Sequence, residues 1–191
     1  MANIDQAFGL RPIAKVGSAP GGTTGTTKYS IADNQGTAIF TGDPVKYKND
    51  GTVEVATAGD PTCGIFTGCF YTDPTTKKPT FSNFYPGGIA ASDITAFVID
   101  DPDAVFLVDA DEAFTRADLY KNYSVTNTTG VTTTGLSKQQ LDVSVSGTAT
   151  TFAIQAIDIC QDPENSDTGS ANANILVRIN NHFYRSGTGI A

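Results

Sequence analysis

The chain has very few of the residues from which catalytic and metal-binding sites are most often built: one histidine and three cysteines in 191 residues. It also has no tryptophan. A Ser-His or Cys-His catalytic pair would have to use His182, yet the sequence has no GxSxG turn or comparable nucleophile motif. We interpret His182 as a strand-end histidine with ordinary hydrogen bonds. The sequence therefore predicts no catalytic residue, no metal site and no cofactor, and we expect that the protein is not an enzyme.

The cysteines do not form a disulfide framework. Cys63 and Cys69 are six residues apart in CGIFTGC, so on one straight strand they would lie roughly 20 Å apart. That distance is too long for a disulfide within the strand. Cys160 ends an apolar run, AIDIC, and the odd number of cysteines leaves one thiol unpaired. We predict buried free thiols in a reducing compartment.

Basic residues and long apolar runs are also scarce. The chain has 12 lysines and arginines against 20 acidic residues, which gives a net charge of −8. Because the densest basic spots are pairs, at Lys46 with Lys48 and at Lys77 with Lys78, we expect no nucleic-acid partner. No apolar run approaches the roughly 18 residues of a membrane span, and the first residues do not resemble a secretory signal. We expect neither a membrane partner nor secretion.

The chain does contain many short runs of β-branched, aromatic and small residues, separated by Gly, Pro, Asn and Asp. This pattern is typical of all-β proteins. About ten short strands at hairpin spacing favour a compact β-barrel or sandwich, with residues 27–191 as a single β-rich domain. The runs with strand character are 27–33, 38–48, 49–57, 61–73, 80–88, two within 94–114, 140–146, 151–160 and 175–185.

Only one stretch has helical character, DADEAFTRADLYKNY at residues 109–123, with Asp111 as a candidate N-cap. We therefore expect at most one short helix. Other local signals predict turns and bends. They are Asn49-Asp50-Gly51 as a hairpin turn, Asp100-Asp101-Pro102-Asp103 as a turn between two strands, and Gly64 and Gly68 as a bend or bulge.

The first 26 residues lack a regular hydrophobic period. Pro12 and Pro20 interrupt them, and a Gly/Thr run follows. A domain rarely has so long an irregular entry unless it contacts something. We predict an extended N-terminal arm over residues 1–26 that adds little to domain stability; the alternative is an arm folded back over its own domain as an edge strand. The residues expected to bind a partner are Ile4, Phe8, Leu10, Arg11 and Ile13.

A group of carboxylates suggests a calcium site, because hard cations collect oxygen ligands. However, no glycine lies where an EF-hand loop requires one, and the spacing matches no calcium motif. We therefore favour turn and cap roles for these residues. They are Asp100, Asp101, Asp103, Asp109, Asp111 and Glu112.

Several segments together resemble a family of small structural proteins of tailed bacteriophages. The match runs in order over essentially the full length, although each segment alone is a weak motif. Members of the family are described as capsid decoration, or cement, proteins, which bind the outside of the assembled icosahedral head and reinforce it. The segments are ANIDQAFGLRP, YSIAD, IFTGDPVK, GIFTGCFYTD, FVIDDPDAVFLVDAD and VRINNHFY.

The resemblance implies a virion protein on the outer surface of the capsid, made in the host cytoplasm. It implies the major capsid protein as partner and supplies no catalytic residues. In this setting the N-terminal arm would bind the shell or a neighbouring copy. Because an icosahedral shell has threefold positions, we expect a homotrimer, with a dimer at twofold positions as the alternative.

Two other functions stay open at this stage. One is the shell subunit itself, which is disfavoured because the chain has no long stretch of helical period. The other is a tail or head-fibre adhesin that binds carbohydrate. Such sites usually expose aromatic rings for stacking on sugars; the candidates are Tyr71, Phe84 and Tyr85, which we expect to be core or rim residues. Copy number in purified particles separates these functions.

Overall fold

Twelve β-strands in two antiparallel sheets make up the computed structural model, which describes residues 3–16, 25–165, 167 and 169–186. The all-β prediction is confirmed, and the strands of these described residues do not close into a barrel. The strands are β1 (Arg11–Lys15), β2 (Thr27–Ser30), β3 (Pro44–Tyr47), β4 (Val53–Val55), β5 (Gly64–Thr72), β6 (Pro79–Ser82), β7 (Thr95–Ile99), β8 (Ala104–Asp109), β9 (Asn122–Val125), β10 (Leu141–Gly147), β11 (Ile154–Ile159) and β12 (Asn174–Ile179).

The first sheet has the strand order β1-β8-β12-β11-β9-β10. Alternation of side chains across the strand explains β12, in which Ile175, Val177 and Ile179 are buried and the residues between them are half-buried. Strand β8 is buried at five of its six positions because it lies between β1 and β12. The core of this sheet also contains Phe106 and Phe114.

The second sheet has the order β2-β7-β5-β3-β4, and β6 also pairs with β5. Its longest strand, β5, has a register shift against β7 between Phe66 and Gly68. Gly68 has a φ angle of 153°, and a Cβ atom there would lie 3.0 Å from the Phe81 ring. The bulge predicted at Gly68 is confirmed, and the position requires glycine.

The predicted Asp-Asp-Pro-Asp turn carries the chain from β7 in the second sheet to β8 in the first. The Asp103 N–H donates to Asp101 Oδ1 at 2.9 Å, and the Ala104 N–H donates to the Asp101 carbonyl at 3.0 Å. The two cores meet close to this turn, because Ile65 and Ile99 of the second sheet belong to the core of the first. The turn prediction is confirmed.

The helix predicted over residues 109–123 is wrong. Only Arg116–Asp118 forms a 3₁₀ turn, and the end of the segment enters β9. Tyr120 has a φ angle of 67°, which an α-helix does not tolerate. Asp111 does not cap a helix but accepts the Val143 N–H at 3.0 Å. The described residues instead contain a second 3₁₀ turn and a one-turn helix α1, Pro163–Asn165 and Phe183–Ser186.

The structure also corrects the extended arm predicted over residues 1–26. Residues 11–15 form β1, which pairs antiparallel with β8 as the edge strand of the first sheet. Leu10 is only 1% exposed and belongs to the core of that sheet. The segment therefore folds back over its own domain, because its apolar residues reach the core there. Residues 1–2 and 17–24 of the predicted arm lie outside the described residues.

Candidate functional site

The N-terminal segment, residues 3–16, is held against the domain at Gly9 and Leu10. The Leu10 N–H donates to the Gly42 carbonyl at 3.0 Å. Gly9 has a φ angle of 74°, and a Cβ atom there would lie 2.6 Å from the Ser137 side chain. Ser137 in turn donates to the buried carboxylate of Asp43 at 2.6 Å. Leu10 is therefore an anchor for the segment and is not free to bind a partner.

The other four residues predicted to bind a partner retain some accessible surface. Ile4 is 64% exposed and Ile13 is 36% exposed. The Arg11 guanidinium lies 4.5 Å from the centre of the half-buried Phe8 ring, a cation–π contact that orients both side chains. We call Ile4, Phe8, Arg11 and Ile13 the N-terminal surface.

Strand β1 is poorly suited to pairing with a strand of another chain. Pro12 has no N–H group, and the register against β8 shifts between Pro12 and Ala14. Lys15 forms an ion pair with Asp101 at 2.6 Å. Proline, a bulge and lysine are the features that prevent edge-to-edge association of sheets. Contacts through the N-terminal surface therefore depend on side chains.

A second exposed apolar surface lies on the second sheet. Phe70 on β5 is directly opposite Phe81 on β6, and the two are 39% and 64% exposed. The half-buried Phe97 of β7 contacts Phe81 across Gly68, with ring centroids 6.1 Å apart. Exposed clusters of large apolar side chains usually mark interaction sites. We call Phe70, Phe81 and Phe97 the phenylalanine surface.

The phenylalanine surface was not predicted from the sequence, although a signal was present. Residues 73–78 form the connection between β5 and β6, and the strands pair outward from it with Thr72 opposite Pro79. Counting two further residues along each strand places Phe70 opposite Phe81. The pairing of Phe70 with Phe81 can therefore be predicted by counting from the centre of the turn, but the exposure of the two side chains cannot.

The aromatic residues considered for sugar stacking do not form an exposed platform. Tyr85 is completely buried and Tyr71 is 7% exposed. Phe84 is half-exposed and stacks on buried Phe40, with ring centroids 5.5 Å apart and planes at 3°. The prediction that these are core or rim residues is confirmed.

Five of the six predicted turn and cap carboxylates have a partner within the protein, and Glu112 is exposed. Asp101 binds Lys15, Asp103 binds Arg185, and Asp100 accepts from Thr27 and Tyr29. Throughout the described ranges, no group of three or more His, Cys, Asp or Glu side chains is placed to hold a metal ion.

Asp109 differs from the other carboxylates because it is 1% exposed. Burial raises its pKa to about 6, and the charges of Asp5 and Asp111 add to this against the hydrogen bond from Gln140. Since the folded-state pKa lies above the unfolded value, folding is favoured by protonation. This contribution to stability is present below about pH 4 and is lost as the pH rises through about 6.

We expect Asp109→Asn to raise the free energy of unfolding near pH 7 by about 1–2 kcal/mol, because asparagine does not have to be buried as an ion. The difference from the natural protein should shrink toward zero as the pH falls from about 6 to 4. Urea denaturation across this range measures it, with exposed Glu112→Gln as control. A gain in the free energy of unfolding that is the same at every pH would contradict a raised pKa of Asp109.

Three tyrosine hydroxyls from distant parts of the chain meet at one point. Tyr29 of β2, Tyr47 of β3 and Tyr184 of α1 have hydroxyl oxygens 2.8–2.9 Å from one another. Tyr29 also donates to Asp100 Oδ2 at 2.7 Å. We call these three tyrosines and Asp100 the tyrosine cluster. It lies where the C-terminal segment of the described chain contacts the second sheet.

The tyrosine cluster is partly buried, since Tyr29 and Tyr47 are half-buried and Tyr184 is exposed. Burial raises the pKa of Tyr29 and of Tyr47, and hydrogen bonds to Tyr184 raise both further. Cys63 is also buried, and its thiol has its pKa raised to about 12, chiefly by that burial. The thiols of Cys63 and Cys69 are free and buried, as predicted, while Cys160 is half-buried. The raised pKa values of Tyr29, Tyr47 and Cys63 keep these three groups protonated at neutral pH.

His182 follows β12 and is 1% exposed. Its Nδ1 accepts the Tyr184 N–H at 3.2 Å, which agrees with the predicted ordinary hydrogen bonding. Burial lowers its pKa, and the Arg185 charge lowers it further, against the raising effect of Asp100. His182 is therefore neutral near pH 7.

No helix in the described residues is long and apolar enough to cross a membrane. No protein-family model, no curated protein and no solved structure matches the chain. The features that bear on function are therefore the two exposed surfaces and the resemblance carried by the sequence segments.

Proposed function

We propose that the protein is a capsid decoration protein, which binds the outer surface of an icosahedral phage head and stabilises it. The observation that carries this proposal is the presence of two exposed apolar surfaces on different sheets. The N-terminal surface lies along the edge of the first sheet, and the phenylalanine surface lies on the second sheet. The resemblance to decoration proteins over most of the sequence supports the same function.

Reinforcement of a shell requires a protein that holds at least two other molecules together. One binding surface would only place the protein on the shell, whereas two surfaces on one rigid body resist separation of the molecules they bind. In our proposal the N-terminal surface binds the major capsid protein, and the phenylalanine surface binds a neighbouring molecule of the shell or a second copy. The net charge of −8 gives the particle an acidic exterior that keeps particles apart.

Assembly into symmetric oligomers would strengthen the attachment. A domain of this size covers about 800 Å² of a partner, which by itself gives affinities from micromolar to picomolar. Linking copies makes later contacts intramolecular and can raise the overall affinity by roughly 10²–10⁴-fold. A homotrimer at threefold positions is the form we propose, and a dimer at twofold positions is the alternative.

Copy number tests the proposed function against the two other classes. We expect quantitative gel or mass-spectrometric analysis of purified particles to find this chain in a fixed, high ratio to the major capsid protein. An adhesin would be present in few copies per particle, and a shell subunit would itself be the most abundant protein. Absence from particles, or a few copies confined to the tail, would contradict the proposal.

A further inference from the structure

The tyrosine cluster has more close oxygen contacts than protons to occupy them. Four oxygen–oxygen distances of 2.7–2.9 Å join the hydroxyls of Tyr29, Tyr47 and Tyr184 and the carboxylate of Asp100. Each distance is that of an O–H···O hydrogen bond and calls for one proton. An ionised carboxylate only accepts, so three hydroxyls supply three protons for four contacts. One contact therefore lacks a proton of its own.

A bound cation would remove this deficit. The three hydroxyl oxygens lie within hydrogen-bonding distance of one another, and the Asp100 oxygen lies within that distance of Tyr29. This is also the spacing of neighbouring ligands around a small ion. In an octahedral site with bonds of about 2.0 Å, adjacent ligand oxygens lie about 2.8 Å apart. We propose that the tyrosine cluster binds a hard trivalent cation, specifically ferric iron, through the oxygens of Tyr29, Tyr47, Tyr184 and Asp100.

A second observation at the same place is a buried nitrogen without a partner. The His182 ring lies 5.5 Å from the Tyr184 ring, and its Nε2 atom is buried and makes no hydrogen bond. The ring also interacts with the Asp100 backbone, which raises the pKa of His182 against the effect of burial. Imidazole nitrogen is a common ligand of iron. His182 neighbours Tyr184 and Asp100 and is therefore the candidate nitrogen ligand of the proposed site.

The chemistry of binding is an exchange of protons for metal. Ferric iron bonds to three phenolate oxygens and one carboxylate, and the three phenol protons leave to solvent. Binding thus releases protons, which is the general behaviour of metal sites whose ligands must be deprotonated. Affinity therefore rises with pH. Besides Asp100 and His182, the titratable neighbours of the cluster are Cys63, Asp101 and Arg185.

An ion can enter from solvent, because Tyr184 is 55% exposed. Binding would join β2, β3 and α1 and so fix the C-terminal segment to the second sheet. The N–H of Phe183 already donates to the Thr62 carbonyl at 2.9 Å in this region. The inference does not depend on the proposed function, since it follows from the cluster alone.

The test is titration of the full chain with ferric nitrilotriacetate under visible absorption. We expect a phenolate-to-iron charge-transfer band that saturates at one iron per chain, with uptake that increases as the pH is raised. Tyr184→Phe keeps the ring and removes one oxygen, so it should weaken binding at least about tenfold, about 1.4 kcal/mol. Tyr120→Phe is the matched control, because Tyr120 is 74% exposed.

Thermal unfolding of each variant without iron shows whether it has folded. Gallium, a trivalent ion that is not reduced under these conditions, should raise the unfolding temperature of the natural protein and of Tyr120→Phe more than that of Tyr184→Phe. Absence of a charge-transfer band would overturn the proposal. So would a band in folded Tyr184→Phe and Tyr29→Phe that is as strong as the band of the natural protein.

Discussion

Replacing Leu10 by alanine is expected to lower the free energy of unfolding by about 2–5 kcal/mol, a large share of the stability of a domain of this size. Leu10 is 1% exposed in the core of the first sheet, and its N–H is bonded to the Gly42 carbonyl. The surrounding backbone is held on both sides, so the cavity left by the side chain would close only partly. Urea denaturation of the purified chain measures the loss.

The matched control for Leu10 lies three residues further along the same segment. Ile13 is 36% exposed at the β1 bulge, so Ile13→Ala should change the free energy of unfolding by less than about 1 kcal/mol. Equal and small losses in both variants would show that the segment is a detachable arm. That outcome would restore the extended-arm prediction that the structure corrects.

The second large effect is expected on capsid binding, at Phe81. An exposed aromatic residue at the centre of an interface commonly contributes at least about 2 kcal/mol, so Phe81→Asp should weaken binding to undecorated heads about 30-fold or more. A charge there would have to be buried without a partner when the phenylalanine surface is covered. Titration of heads with labelled protein, followed by sedimentation, gives the affinity.

Val145→Asp is the control for Phe81, because Val145 is 44% exposed on β10, in the other sheet. Both substitutions replace an exposed apolar side chain by a carboxylate, so they change the net charge equally. Urea denaturation confirms that each variant has folded. Equal binding by the two variants would exclude the phenylalanine surface from the interface and leave the N-terminal surface as the only apolar contact proposed.

Short-range patterns in the sequence predicted much of the fold. Alternation of apolar residues identified segments such as 151–160 and 175–185, although the latter ends in the turn of α1 after Ile179. Turn chemistry identified the β3–β4 hairpin, where Gly51 has a φ angle of 80°. These signals depend only on residues close together in the chain, and the strands and turns of the two sheets agree with them.

Contacts between distant residues account for the errors. Leu10 appeared free because its hydrogen-bond partner Gly42 and the core residues around it lie far along the chain. The helix predicted over residues 109–123 was displaced because residues 122–125 pair with β10 and β11.

The candidate sites were less predictable than the fold. The exposure of Ile4 and Ile13 followed from a lack of regular period, but the phenylalanine surface depends on the register of three strands. The tyrosine cluster joins residues 155 positions apart, Tyr29 and Tyr184. No sequence motif predicts such a cluster, since each tyrosine alone is an ordinary aromatic residue of a strand or turn.

The central claim is that this chain binds the outside of a phage head and bridges neighbouring molecules there. Electron cryomicroscopy of the intact particle, reconstructed without imposed local symmetry, tests it most directly. We predict density for the two-sheet fold on the outer surface of the shell, with the N-terminal surface and the phenylalanine surface in contact with different molecules. Density for the chain inside the head or only on the tail, or isolated copies that each touch a single shell subunit, would contradict the account.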